Sequence, residues 1–177
     1  QVKPEVAFEI MNTIDIICDE EMKKGIVNLY IDVAQSGKRL TNVFVMIIAK
    51  VIGEYAELSD EYDMNFISLL LCDLADAYQE SRFWVLSALL EVSSKLDDVP
   101  QQVSDVFENY KYSKSIIVQE ICYEATALLQ FRDVLKSTIQ QMSDDRQKAD
   151  KEEFPDKYDQ ELTFLDDFVQ DAIENKG

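Results

Sequence analysis

An all-α fold, built as an α-solenoid of about four antiparallel helix pairs, is predicted by three observations. Apolar residues recur at three- and four-residue spacing along most of the chain, as in Phe66, Leu69, Leu70, Leu74 and Ala77. That spacing gathers them on one helix face, and such a face must be buried. Four Gly and three Pro in 177 residues are too few breakers for a hairpin-rich β protein. The links between the helical stretches Thr41–Ser59, Met64–Tyr78 and Ser81–Leu96 are short, which sets neighbouring helices antiparallel.

The first helix opens at Lys3–Pro4–Glu5, where the missing proline N–H costs nothing. Phe8, Met11, Ile14, Ile17 and Cys18 form its stripe. Asp19–Glu20–Glu21 gives the second helix an acidic start, favourable at the positive end of the helix dipole. Ile26, Leu29, Tyr30 and Val33 are its expected buried positions, and Ser36–Gly37 is its stop; glycine suits a left-handed cap. The third helix starts near Thr41, and Val43 to Ile52 is apolar on nearly every side apart from Lys50. A helix of that kind has neighbours on several sides. Gly53 interrupts it at a cost of roughly 1 kcal/mol against alanine, which a close helix approach would explain.

Ser59–Asp60–Glu61 reads as a corner with capping chemistry, followed by the fourth helix, Met64 to Tyr78. The fifth runs from Ser81, as N-cap, to Leu96 and carries the chain's only tryptophan, Trp84, as a core anchor. Pro100 opens a sixth at its first position, with Val103, Val106, Phe107 and Tyr110 as its stripe. Ser113 to Met142 is one long helical pattern, straight or bent, with no Gly or Pro inside. Residues 143–153 form an acidic surface loop, and Phe154–Pro155 opens a last helix striped by Leu162, Leu165, Phe168, Val169 and Ile173. The whole chain, 1–177, reads as one helical segment. Its opening on Gln1 predicts a piece of a longer protein.

The 17 basic and 35 acidic side chains leave a net charge of −18. That surface repels nucleic-acid phosphates and anionic membranes and attracts basic partners. Cys18, Cys72 and Cys122 are far apart within apolar runs, which points to free thiols in a reducing, intracellular compartment. No run of ~18 apolar residues is present to span a membrane.

The chain has no histidine, the commonest general base and transition-metal ligand. It has no closely spaced cysteines for zinc, no glycine-rich phosphate loop and no GxSxG. Asp166, Asp167 and Asp171 approach a DDxxD magnesium motif, but the spacing is one residue too long. Residues 144–153 lack the turn glycine of a calcium loop. No catalytic residue, cofactor or metal ligand is therefore assigned, and the chain is read as no enzyme. Asp32, Asp73, Asp76 and Glu80 are the candidate partner-facing residues, with Asp73 and Asp76 expected on the face opposite the leucines of the fourth helix, where they could meet Lys or Arg of a partner.

From Gly25 to Ile173, and first at Leu40–Ser59, the sequence resembles the importin-β (karyopherin) superfamily of HEAT-repeat nuclear transport receptors, of the transportin-SR type. Ile52–Gly53–Glu54–Tyr55 is similar to the close of one receptor helix, FISLLLCDLADAY to the leucine-rich helix that follows, and SRFWVLSALLEVSSKL to a helix bearing a conspicuous Trp. QFRDVLKSTIQQMS, an acidic insert and FPDKYDQELTFLDDFVQDAI continue the likeness to Ile173. The resemblance implies HEAT-like repeats, protein cargo (basic cargo suits the charge), Ran–GTP binding through other parts of the full chain, and residence in nucleus and cytoplasm. The expected function is a non-catalytic protein-binding solenoid segment of a nuclear transport receptor. Two rivals stand beside it: a self-contained helical adaptor or scaffold domain, and a helical enzyme with a carboxylate-bound metal.

Overall fold

A computed structural model describes residues 5–131 and 133–141. The chain divides into two units, 1–139 and 140–177; the seven helices below belong to the first. The loop predicted at 143–153 and the last predicted helix lie outside the described residues, as do the acids at 166, 167 and 171.

Seven helices follow in order: α1 (Glu5–Ile17), α2 (Glu20–Gln35), α3 (Asn42–Tyr55), α4 (Met64–Ala77), α5 (Arg82–Lys95), α6 (Gln101–Tyr110) and α7 (Ile116–Gln130). A 3-10 turn, Ala56–Leu58, extends α3, and 133–141 is again helical. The described residues contain no strand.

The packing is that of a two-layer α-solenoid. The odd helices form one layer, α1 on α3, α3 on α5 and α5 on α7. The even helices form the other, α2 on α4 and α4 on α6. The pairs α2/α3, α4/α5 and α6/α7 join the layers, so among the described residues each of these helices packs chiefly on near neighbours in sequence, as stacked repeats do.

Local chemistry explains most boundaries. Asp19 caps α2 by accepting from Met22 N–H at 2.8 Å, with Glu20 and Glu21 in the first turn. Thr41 caps α3 through Phe44 N–H, and Asp63 caps α4 through Phe66 N–H at 2.9 Å. Gly37, just past α2, takes φ +69°, the left-handed conformation that closes a helix with least strain on glycine.

Ser81 is not a capping side chain. Its hydroxyl donates instead to Asn42 O at 2.7 Å, tying the start of α5 to the start of α3. The Ser59–Asp60–Glu61 corner holds α2 rather than capping α4. Ser59 Oγ donates to Asn28 Oδ1 at 2.7 Å, Asn28 Nδ2 donates to Asp60, and Asp60 pairs with Lys24 at 2.7 Å. The Lys24 ammonium holds the Asp60 carboxyl below its ordinary range, with Asn28 assisting. Pro100 precedes the first helical residue of α6 instead of occupying it.

The predicted long helix from Ser113 to Met142 is interrupted. α7 ends at Gln130, Phe131 leaves helical geometry with ψ 69°, and its N–H closes on Leu128 O. The break turns Leu135 fully into the core while Phe131 stays exposed.

The core runs along the contact between layers. Val45, Ile48, Val51 and Ile52 of α3, Ile67 and Leu71 of α4, and Val85, Leu86, Leu89 and Val92 of α5 are each fully buried or nearly so. α3 is the interior helix expected from its sequence, and α5 comes close to it, buried on Val85, Leu86, Ala88, Leu89, Leu90, Val92, Ser93 and Ser94.

Gly53 is the predicted point of close approach. A Cβ there would lie 3.2 Å from Ala88 Cα and 2.5 Å from a Glu91 carboxylate oxygen. Lys95 of α5 donates to Gly53 O and Glu54 O at 3.3 and 3.2 Å, supplying donors and positive charge to the carbonyl end of α3. Trp84 is half-buried, edge-on to Phe83 with Lys50 over its ring.

Two stripes sit differently from expectation. In α2 the buried residues are Val27, Asn28 and Ile31, and Leu29 is 59% exposed; contact with α3 and the Asn28–Ser59 bond rotates the helix by about one residue. In α1, Met11 and Ile14 are buried but Ile16 and Ile17 face outward.

Candidate functional site

The even layer carries three of the four acids predicted to face a partner, Asp32, Asp73 and Asp76, and Glu80 stands on the turn after α4. Its α4 is amphipathic in a way the leucine spacing concealed. Ile67, Ser68, Leu71, Cys72, Leu74 and Ala75 are the buried side, together with Leu70. Phe66, Leu69 and Ala77 are turned outward, and Asp73 lies among them instead of on an opposite face. A groove of about 870 Å³ runs there between α4 and the connection from α2 to α3.

That connection is pinned at both ends of α4. Gln35 Nε2 donates to Tyr62 Oη at 2.6 Å, just before α4. Leu40 N–H donates to Tyr78 Oη at 3.0 Å, at the helix's far end. Tyr62 stacks on Phe66 with ring centres 5.4 Å apart. Residues 36–40 therefore travel the length of α4, and Lys38 and Arg39 stand on the groove wall.

The four predicted acids have different surroundings. Asp32 accepts from the Tyr62 hydroxyl and from Gln35 Nε2. The Asp32 hydrogen bond raises the Tyr62 phenol above its ordinary range, and burial adds to it. Asp76 accepts from Tyr110 Oη at 2.5 Å, and Arg82 lies over the Tyr110 ring, 4.2 Å from its centre. Burial, and then the bond to Asp76, pushes the Tyr110 phenol up to about 12. Glu80 accepts from Asn42 Nδ2. Asp32 and Asp76 thus strap α2 and α4 to the next helix pair, and Glu80 joins the start of α3 to the start of α5. Each is exposed yet holds an internal partner. Asp73 alone of the four lines the groove.

Sequence reasoning missed Lys38, Arg39, Phe66 and Leu69 as surface features. The adjacent cations in a strongly acidic chain, directly after a turn glycine, were the available signal. The outward turn of Phe66 and Leu69 had none, because their spacing is that of a buried stripe.

Cys72 and Cys122 are buried free thiols. Burial pushes Cys72 up to about 12, with Asp73 and Asp76 adding to it, and Cys122 up to about 11. Both stay protonated and unreactive at neutral pH. Among the described residues no group of three or more Cys, Asp or Glu is arranged to hold a metal ion, and no helix is long and apolar enough to cross a membrane.

No family model matches the chain, and no solved structure matches it. The chain is 29% identical over 166 residues to the AP-4 complex subunit epsilon of Arabidopsis thaliana. The match covers 89% of this chain and 17% of that protein, so the chain spans about a sixth of its relative's length. The likeness supports a helical segment similar to part of a complex subunit, and lends nothing to the importin-β superfamily in particular.

Proposed function

We propose that this chain is a non-catalytic, protein-binding solenoid segment of a larger subunit that assembles into a multi-protein complex of the AP-4 kind. The observation that carries the reading is the similarity to a complex subunit along 89% of the chain. The two-layer stack supports it, because such stacks present long surfaces built from successive repeats. Buried thiols suit the reducing interior of a cell. The test is affinity purification of the whole protein from its own cells, followed by native mass spectrometry. A discrete assembly of several different polypeptides in fixed ratio is expected; a lone polypeptide would defeat the reading.

The second reading is a nuclear transport receptor with basic cargo. Its support is the likeness of residues 25–173 to receptor helices, together with the −18 charge. Under it, adding Ran–GTP to the purified protein changes which partners are retained, and binding to a basic partner weakens as salt rises. Retention indifferent to both removes this reading and leaves the first untouched.

A further inference from the structure

We infer that the groove between residues 36–40 and α4 is a docking site for a short peptide segment of a partner protein, one that carries apolar side chains beside a single carboxylate. The inference rests on the reading of this chain as a protein-binding segment and adds a place and a ligand chemistry to it.

Four observations carry it. The floor is largely apolar and open: Phe66 and Leu69 leave part of their side chains uncovered, with Ala77 exposed beyond them. From residue 66 to 77 the helix rises about 17 Å, room for roughly five residues of extended peptide. The groove is also held ready. Tyr62 and Tyr78 fasten its wall at both ends, so little ordering is needed when a ligand arrives.

The cations decide the ligand's charge. Lys24, Lys95 and Lys111 are paired with Asp60, Glu57 and Glu108. Lys23, Lys50 and Arg82 each lie over an aromatic ring. Lys38 and Arg39 line the groove and engage no carboxylate, carbonyl or ring through their side chains among the described residues. Two exposed cations on the rim of an apolar surface complement a carboxylate attached to an apolar segment.

The remaining charges set a limit. The chain's −18 opposes a polyacidic ligand, while screening over about 8 Å at physiological salt leaves the local cation pair effective. Asp73 on the floor rejects a second carboxylate. One acid near residues 38–39, with neutral apolar residues along α4, is the pattern that fits.

The experiment is selection of a displayed random-peptide library on the full chain. Synthetic copies of the enriched peptides are then measured by fluorescence anisotropy. The expected result is enrichment of peptides with one Asp or Glu close to Leu, Ile or Phe. Their affinity should fall roughly tenfold or more in the K38E/R39E variant. Replacing the peptide's acid by Lys should restore binding to that variant, and D73N should bind the original peptide at least as tightly. Both cations are exposed on a connection, so K38E/R39E should melt like the parent, which a circular-dichroism scan verifies. No enrichment, enrichment without an acid, or affinity unchanged in K38E/R39E overturns the inference. Assembly of the complex is read separately by native mass spectrometry of K38E/R39E. Intact assembly with lost peptide binding supports a distinct groove; absent assembly of the parent with peptide binding retained defeats the subunit reading alone.

Discussion

Two helical glycines should respond to alanine in opposite directions. Gly25 lies within α2 and a Cβ there meets nothing within 4 Å. Gly25→Ala should recover the full helical preference of alanine, a gain of about 1 kcal/mol. Gly53 receives the same local gain, but its new methyl would sit 3.2 Å from Ala88 Cα and 3.3 Å from Ala88 Cβ. The Glu91 oxygen at 2.5 Å is the far end of a flexible side chain and can swing away. The α5 backbone cannot yield without shifting a helix whose Leu86 and Leu89 are wholly buried. Overpacking of this kind costs about 1–3 kcal/mol. Subtracting the helical gain leaves a net loss of up to about 2 kcal/mol, so the two variants should differ by about 1–3 kcal/mol. Urea unfolding followed by circular dichroism at 222 nm measures both. Ala88→Gly should cost less in the Gly53→Ala background than in the parent, because it removes one of the two close atoms. If Gly53→Ala stabilises the chain as much as Gly25→Ala does, the close packing of α3 on α5 is refuted.

Leu89→Ala should destabilise by about 2–5 kcal/mol through the cavity it leaves, whereas Leu29→Ala should change stability by under about 0.5 kcal/mol because that side chain is 59% exposed; urea midpoints of the pair decide whether the α2 register is right. Asp63→Ala removes the acceptor for Phe66 N–H and should cost about 1 kcal/mol, recovered in large part by Asp63→Ser, with thermal unfolding as the readout. On the alkaline side, Tyr110 is held protonated up to about 12 against an ordinary phenol near 10. Its contribution to stability is complete below pH 10 and is lost as pH rises from about 10 to 12. Tyr110→Phe should flatten that part of the stability–pH curve. Cys72 and Cys122, held protonated to about 12 and 11, should resist alkylation at neutral pH in the folded chain and react in urea; rapid labelling of either in the native protein would contradict their burial.

Much of the architecture could be read from residue order alone. Asp19, Thr41 and Gly37 mark helix ends by side-chain and backbone chemistry acting within a few residues, and such signals do not depend on the rest of the fold. The unbroken apolar run Val43–Ile52 likewise requires several neighbours wherever it is placed, and Gly53 marks the point where one of them comes close. Other features depend on partners distant in sequence. Leu29 and Val27 are both apolar, and the choice between them was made by α3 and by the Asn28–Ser59 bond, 31 residues apart. The break at Phe131 follows no Gly or Pro; it accompanies the burial of Leu135. The acids follow the same division. Their number and sign are properties of composition, but whether each meets solvent, a tyrosine or a groove depends on which helix stacks beside it. Tyr62 and Tyr110 claim Asp32 and Asp76, and Asp73 is left among Phe66, Leu69 and Ala77. Short-range capping and periodicity belong to the sequence. The outward turn of α4 and the groove beside Lys38 and Arg39 belong to the tertiary structure, because a helix has more apolar positions than one neighbour can cover and only packing selects which are left open.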